Sequence, residues 1–378
     1  MLGLLFLLST FRLLLCTDHG VIILGGEGPE GLLDNVAVLT ESGWCPPENT
    51  IIPPLPMPAT GLTAHHGAAD SSHREYLVVC GFPGETACFQ ISPLNGHFEW
   101  TPVGVEDEDI NMEELQYVHS YDNMIKNGVT SMWLNMNTQE YEFLWSPMTK
   151  NGEDAGWEEM GGWYRDQVPN LPATLGPYVD LSCLAQHPPS DGYPSMVTLS
   201  GGIDEEYTSI SDLLLLSNVG GGPDWQWHYN SVNIGQPRTS HSCLSFDYIG
   251  ERGVLLVGGF EHQKNAIAAT TLGSSLYLYA DYENHEDLSN VFDGIAEMNA
   301  PRHSFGLANW GDEGLVALGG RYSSLSSRLL DSVEVWDKNE NTWSMRPEWT
   351  LDIPRDGFGI VAKGVSTEVN GSEYCHMG

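Results

Sequence analysis

Apolar runs that end in a glycine doublet recur along this chain, and they constrain the fold more than any other feature. The runs are VIILGG, MVTLSGG, VLLVGG and LVALGG, with a degenerate copy YLVVCG, and they end at residues 26, 202, 259, 320 and 81. The step is 57 residues from Gly202 to Gly259 and 61 residues from Gly259 to Gly320. A strand-length motif that repeats at a near-constant interval indicates a repeat architecture.

The gap of 121 residues between Gly81 and Gly202 is about twice this step, so another copy is expected in its middle. The segment VTSMWLN, residues 129–135, supplies the apolar run without the glycines. Each run is followed by a second strand-like segment, most copies then carry an aromatic segment, and another strand precedes each run. Six units of four strands predict an all-β fold, a six-bladed β-propeller of four-stranded antiparallel blades. The glycines are expected where close backbone approach and positive φ exclude a Cβ.

The two ends of the repeat array are incomplete in complementary ways. The first unit begins at Val21 with a doublet strand, and residues 356–363 form an innermost-type strand that no doublet follows. We therefore predict that the C-terminal strand closes the first blade. The hairpin at 331–347 is expected to be the outer half of the last blade, with its Trp residues packed on the neighbouring blade. The predicted organisation is a signal peptide at 1–17, a propeller at 21–365 and a C-terminal tail at 366–378.

The first 16 residues are mostly apolar and are followed by the polar segment TDHG. This pattern predicts a secretory signal, because the apolar core is too short to span a bilayer, and no later stretch predicts a membrane span. Six cysteines remain once Cys16 is removed, which suits an oxidising compartment. We therefore expect a secreted, extracellular protein. Asn370 lies in the sequon Asn-Gly-Ser and is a candidate glycosylation site.

The cysteine positions suggest specific disulfides. Cys80 and Cys88 flank a short loop between two predicted antiparallel strands, so a bridge between them is expected. A second predicted pair joins Cys45, after the second strand of the first unit, to Cys375, after the C-terminal strand. The remaining two cysteines, Cys183 and Cys243, occupy equivalent places in two units. We expect them to be buried free thiols rather than a bridge.

The charge balance is extreme, with 51 acidic residues against 15 Lys and Arg and a net charge of −36. Such a surface disfavours nucleic acid and anionic lipid as partners. The acidic run at 105–115 is interpreted as a solvated face, and calcium binding by residues 106–114 is the alternative. The pair His65–His66, expected in a loop, is not interpreted as a metal site, and no metal or other cofactor is predicted.

The glycine doublets, the following aromatic residues and the spaced Trp residues resemble the kelch repeat family over residues 21 to about 365. The resemblance implies a propeller scaffold that hosts either binding proteins or enzymes. No catalytic motif of the extracellular kelch enzymes matches these residues, so no catalytic residue is assigned. We predict a monomeric binding module for an extracellular protein or an acidic glycan. The alternative is a secreted carbohydrate-active enzyme of the sugar-oxidase or sialic-acid-epimerase type.

Three arginines, Arg238, Arg302 and Arg355, each follow a proline at the start of an innermost strand. If the strands line the axis, the guanidiniums should crowd one mouth of the central channel and form a local positive site. Guanidinium forks suit carboxylate or phosphate, which is why an acidic sugar or acidic peptide is the expected ligand. The alternative is a structural role, in which each arginine bridges to an acid of the next blade.

Overall fold

The computed structural model describes most of the repeat region. The described residues are 20–68, 75–84, 87–92, 97–123, 128–150, 158–160, 162–166, 168–169, 183–187, 196–203, 208–209, 212–217, 226–248, 251–262, 269–279, 290–292, 294–311, 314–322 and 328–362. The predicted signal peptide, the predicted tail, Asn370 and Cys375 lie outside these ranges.

The described residues form 27 β-strands and contain no α-helix. In chain order the first strands are β1 Gly20–Gly28, β2 Gly31–Thr40, β3 Gly43–Trp44, β4 Thr63–Ala68, β5 Glu75–Cys80, β6 Cys88–Ser92, β7 His97–Pro102, β8 Leu115–Asn123, β9 Gly128–Asn135, β10 Tyr141–Lys150, β11 Glu158–Met160, β12 Tyr164–Arg165, β13 Cys183–His187 and β14 Met196–Ser200. The others are β15 Asp212–Ser217, β16 Gln226–Asn233, β17 Ser242–Tyr248, β18 Glu251–Val257, β19 Phe260–Glu261, β20 Thr270–Thr271, β21 Ser275–Tyr279, β22 Asn290–Phe292, β23 Gly306–Asn309, β24 Gly314–Leu318, β25 Val333–Asp337, β26 Thr342–Met345 and β27 Gly359–Ala362. Short 3₁₀ turns lie at Pro47–Asn49, Met112–Glu114 and Pro347–Trp349.

The strands form antiparallel sheets arranged in a ring, a β-propeller. Five sheets have four strands: sheet I (β27-β1-β2-β3), sheet II (β4 to β7), sheet IV (β13 to β16), sheet V (β17-β18-β21-β22) and sheet VI (β23 to β26). The innermost strands follow one another around the ring in the order β27, β4, β8, β13, β17 and β23, and β23 contacts β27 again.

The prediction of six four-stranded blades is wrong, because only five sheets among the described residues are four-stranded blades. The sheet between II and IV, here called sheet III, has five strands, since β10 pairs with β9 on one side and with both β11 and β12 on the other. β12 pairs with residues 144–145 and β11 pairs with residues 148–150, so two short strands share the position of one outer strand. The predicted run at 129–135 lies in β9, as expected.

The C-terminal strand closes the ring, as predicted. β27 pairs with β1 in the register Val21↔Ala362 to Leu24↔Gly359. The predicted outer hairpin at the other side of this seam is β25 and β26, and Trp336 faces Trp343 across the pair. Both Trp side chains belong to a buried cluster that includes residues of sheet V, so the hairpin packs on the neighbouring sheet as expected.

The apolar runs are continuous because both faces of each second strand are buried. In β24, Leu315 and Ala317 pack in the cluster shared with sheet V, whereas Val316 and Leu318 pack in the cluster shared with sheet I. Side chains alternate between the two faces of a strand, so every position in the run meets a neighbouring sheet. The core of the protein therefore lies between the sheets.

The glycine doublets and the Pro-Arg motifs belong to one repeated contact. The second glycine of a doublet donates its N–H to the arginine carbonyl of the next sheet, at 2.9 Å from Gly259 to Arg302 and 2.7 Å from Gly320 to Arg355. A Cβ on the first glycine, Gly258 or Gly319, would lie 2.6 Å from the same carbonyl oxygen, and φ at both positions is positive. The predicted reason for these glycines is therefore confirmed.

Two disulfides lie within the described residues. Cys80 and Cys88 are directly opposed on β5 and β6 and are bonded, with their Cα atoms 4.1 Å apart, as predicted. Cys183 on β13 and Cys243 on β17 are also bonded, with their Cα atoms 5.8 Å apart, so the expectation of free thiols is wrong. Equivalent positions on adjacent innermost strands come close together near the axis, and this brings the two side chains within bonding reach. The pair predicted between Cys45 and Cys375 stays a prediction.

Candidate functional site

The three arginines expected at the mouth of the channel are enclosed by the protein. Arg238, Arg302 and Arg355 are 0%, 0% and 2% exposed. In each case Nη1 donates to the carbonyl of the first glycine of the doublet in the arginine's own sheet, at 3.0–3.1 Å. Among the acids that the structure describes, Glu334 alone forms an ion pair with one of the three: it lies 2.6 Å from Arg302 and belongs to the same sheet rather than to the next one.

Desolvation lowers the pKa of Arg238 and of Arg355 to about 10, so both remain charged at neutral pH. The charge is balanced by carbonyl, hydroxyl and amide oxygens, including the Ser274 hydroxyl and the Asn35 side chain. These guanidiniums support the backbone around the doublets and are not presented to solvent. This enclosure argues against a direct role for the three arginines in ligand binding.

A buried polar cluster joins the innermost strands of sheets II and III. Ser120 Oγ lies 2.6 Å from His65 Nε2, 2.6 Å from Thr63 Oγ1 and 2.7 Å from Tyr117 Oη. Although a Ser–His contact is one element of a nucleophilic site, these three partners use the one donor and two acceptors of the serine hydroxyl. The cluster is therefore a satisfied structural network. His65 and His66 lie within β4, so their predicted position in a loop is wrong.

Two neighbouring histidines of the inner ring are held neutral. Desolvation lowers the pKa of His119 to about 4, a backbone hydrogen bond at Ser120 opposes the shift, and His65 adds to it. The pKa of His241 lies well below its ordinary value, because burial and the charge of Arg238 both disfavour the imidazolium. His241 Nε2 lies 2.9 Å from the Ser200 hydroxyl, and its Nδ1 is buried without a hydrogen-bond partner.

We expect the protein to lose stability as the pH falls from about 6.5 to 4. Over this interval His119 binds a proton in the unfolded chain but stays neutral in the folded chain, because the pKa of His119 is lower in the folded state. At pH 5 this amounts to roughly 1–2 kcal/mol for one histidine, after allowance for its partial exposure. Urea unfolding of wild type and His119→Gln at pH 8, 7, 6 and 5 measures the difference. The pH 8 data isolate any packing effect, and an identical pH dependence in the variant would contradict the prediction.

The loops that connect the second and third strands of sheets I, IV, V and VI lie on one face of the ring. Loops carried by a rigid scaffold are the usual place for recognition. In sheet V this loop forms its own two-stranded ribbon, β19 with β20, and in sheet I strands β1 and β2 continue as a hairpin. We call the described parts of these loops the hairpin crown, which comprises residues 25–33, 201–203, 208–209, 258–262, 269–272, 319–322 and 328–330.

Contacts join the crown from one sheet to the next. Between sheets IV and V, the Ser209 N–H donates to the His262 carbonyl at 2.8 Å, and the His262 N–H donates to the Ser209 hydroxyl at 2.8 Å. Between sheets V and VI the link is indirect: the ring of Phe260 meets the ring of His303 edge-on, with centroids 4.8 Å apart, and the backbone of His303 pairs with that of Arg321 in the crown. The loops therefore form one connected surface.

Arg321 connects the crown across the seam between sheets VI and I. Its Nε donates to Asp356 in a short ion pair, and its Nη2 donates to Asp356 Oδ1 at 3.3 Å and to Glu27 Oε2 at 3.2 Å. The hydrogen bond to Asp356 raises the pKa of Arg321 above its ordinary value, so the guanidinium is always charged. The side chain is 24% exposed, in contrast to the three enclosed arginines.

The crown also exposes apolar surface. Leu32 is 52% exposed and Tyr322 is 48% exposed, and the Arg328 guanidinium lies 6.0 Å from the centre of the Tyr322 ring. Sequence reasoning missed these residues, although one signal was available. Glu27, Phe260 and Arg321 each follow a glycine doublet directly, so aligning the repeats places them together at one mouth of the ring.

The acidic run at 105–115 contains hydrogen bonds between its own residues. The Asp109 N–H donates to Asp107 at 3.0 Å, and Asn111 donates to Glu114 at 2.8 Å. No group of three or more His, Cys, Asp or Glu side chains placed to hold a metal ion occurs among the described residues. Nor does the described part of the chain include a helix suited to crossing a membrane.

No protein-family model and no curated protein matches this chain. Among solved structures, the structure of YjhT is similar at 9% identity with a TM-score of 0.38, covering 79% of this chain and all of that one. The cryo-EM structure of RAG in complex with one melted RSS and one unmelted RSS is similar at 14% identity with a TM-score of 0.35, covering 65% of this chain and 72% of that one. At these scores neither similarity carries an argument about activity or partners, and the propeller assignment depends on the sheets themselves.

Proposed function

We propose that this protein is a secreted, kelch-type propeller that acts as an interaction module and binds a protein partner through the hairpin crown. The observation that carries the proposal is the continuity of the crown, in which four loops are joined to one another on a closed, rigid ring. A preorganised surface loses little conformational freedom on binding. Exposed aromatic and arginine side chains are typical of such interfaces.

Extracellular location is supported by the apolar N-terminal segment and by the two disulfides. The kelch assignment is supported by the doublet and Pro-Arg contacts that repeat from sheet to sheet. An acidic glycan was expected only on account of the three arginines that are enclosed, so a protein partner is the better-supported ligand. The enzyme alternative has no group of described residues in its favour.

The test is a panel of purified extracellular proteins and glycans probed with the full-length protein. Leu32→Ser/Tyr322→Ala removes the exposed apolar surface of the crown, and Phe98→Ser removes a side chain of β7 that is 54% exposed outside it. We expect at least one protein ligand whose affinity falls about tenfold or more in the crown variant and is unchanged in Phe98→Ser. Ligands that bind both variants as tightly as wild type would refute the crown as the site.

A further inference from the structure

One edge of the Arg321 guanidinium remains available for a ligand. Asp356 and Glu27 occupy Nε and Nη2, and Nη1 donates to no acceptor among the described residues. Glu27, the second partner, is 45% exposed, and its ion pair is the kind that contributes little to stability in water. An incoming carboxylate therefore has two N–H donors on Nη1, and it competes with only a weakly held side chain for Nη2.

The surroundings of this edge combine a second guanidinium with exposed apolar side chains. Arg328 shares its hairpin with Arg321, because Arg321 bridges Leu329 and the Tyr322 N–H donates to the Arg328 carbonyl at 3.4 Å. On the other side of the seam, Leu32 lies directly opposite Glu27 in the β1–β2 hairpin. Directly opposed residues share a sheet face, which places the Leu32 side chain beside the carboxylate that contacts Arg321.

We propose that the partner contacts this surface with a peptide segment that carries one carboxylate among apolar residues, and that the carboxylate binds Arg321. The inference rests on the proposed function of the crown and names the chemistry of its partner. The carboxylate pairs with Nη1 of Arg321 and displaces Glu27 from Nη2, Arg328 supplies additional positive charge, and the apolar neighbours cover Tyr322 and Leu32.

The net charge of the protein selects against other acidic ligands. The protein carries a net charge of −36, and this charge repels a polyanion, such as a long acidic polysaccharide, wherever the polyanion lies within about one Debye length of the protein surface. A single carboxylate is repelled much less, and it forms charge-assisted hydrogen bonds with the Arg321 guanidinium. The apolar area of Tyr322 and Leu32 adds burial that a hydrophilic glycan uses poorly.

The experiment is an array of 12-residue peptides, each with one Glu between apolar residues, beside copies with Gln in its place and a set of sialylated glycans. The probes are full-length wild type, Arg321→Gln, Glu27→Gln, the crown variant Leu32→Ser/Tyr322→Ala and the control Arg346→Gln. Arg346 is a partly exposed arginine outside the crown, and its guanidinium lies 5.5 Å from the centre of the Trp349 ring. We expect wild type to prefer Glu peptides about tenfold or more over their Gln copies. Arg321→Gln should abolish this preference, and Arg346→Gln should keep it.

Glu27→Gln distinguishes a ligand site from a structural ion pair. Removing the competing carboxylate should strengthen binding of Glu peptides about threefold or more, which a purely structural role of Arg321 cannot produce. Equal binding of Glu and Gln peptides that is lost in Leu32→Ser/Tyr322→Ala would overturn the inference and leave the proposed function standing. Arg321-dependent binding of the glycans alone, or no carboxylate-dependent binding at all, would also overturn it.

Discussion

Arg302→Met should lower the free energy of unfolding by about 3–5 kcal/mol, the range for removing one partner of a buried ion pair. The Arg302 and Glu334 side chains are both fully buried and lie 2.6 Å apart. Without the guanidinium, the Glu334 carboxylate would be an uncompensated buried charge. The carbonyls of Gly319 and Ser332 would also lose their hydrogen bonds from Nη1. The midpoint and slope of urea unfolding measure the loss.

A double variant separates the buried charge from the loss of packing. Glu334 also accepts hydrogen bonds from Asn299 and from the Ala300 N–H, so Glu334→Gln keeps an acceptor at this position while removing the charge. Arg302→Met/Glu334→Gln should therefore be more stable than Arg302→Met alone. Arg346→Met, at an arginine whose side chain is 43% exposed, should change stability by no more than about 0.5 kcal/mol. A loss of that small size in Arg302→Met would contradict the structural role.

Deleting residues 354–378 should abolish cooperative folding of the ring. The deletion removes β27, the innermost strand of sheet I, and leaves residues 21–24 of β1 without a partner strand on the side of the axis. It also removes the buried side chains of Arg355 and Phe358, which fill the space between sheets VI and I. An opened ring exposes two sheet faces and a strand edge, and such surfaces favour aggregation. Thermal unfolding followed by near-ultraviolet circular dichroism is the measurement.

A shorter deletion of residues 366–378 is the control, because it removes the predicted tail and leaves β27 in place. We expect this variant to retain a cooperative transition. If the longer deletion melts at the temperature of the full chain, closure through β27 does not hold the ring together. A smaller version of the same test is Phe358→Ala, for which the expected loss is about 3–5 kcal/mol.

Much of the fold was predictable because each repeat carries its own local signals. The run before Gly319 is apolar at every position since it is buried on both faces, and the doublet itself reports a backbone that admits no Cβ. Direct opposition of Cys80 and Cys88 also follows from local strand order. The run at 129–135, which lacks the glycine doublet, was placed from its spacing and its apolar pattern. The two short outer strands of the same sheet, β11 and β12, left no signal that the repeat pattern could detect.

The sequence by itself determined the all-β ring and its closure by the C-terminal strand, because periodic burial and glycine placement are properties of neighbouring residues. Only the tertiary structure decided which charges are accessible. Arg302 and Arg321 each lie beside a repeat motif. Arg302 is enclosed against Glu334, whereas Arg321 is 24% exposed and its Nη1 has no acceptor among the described residues. It also decided that Cys183 and Cys243 are bonded. Both outcomes depend on the packing of residues that are far apart in sequence, and that packing is set only when the whole ring has closed.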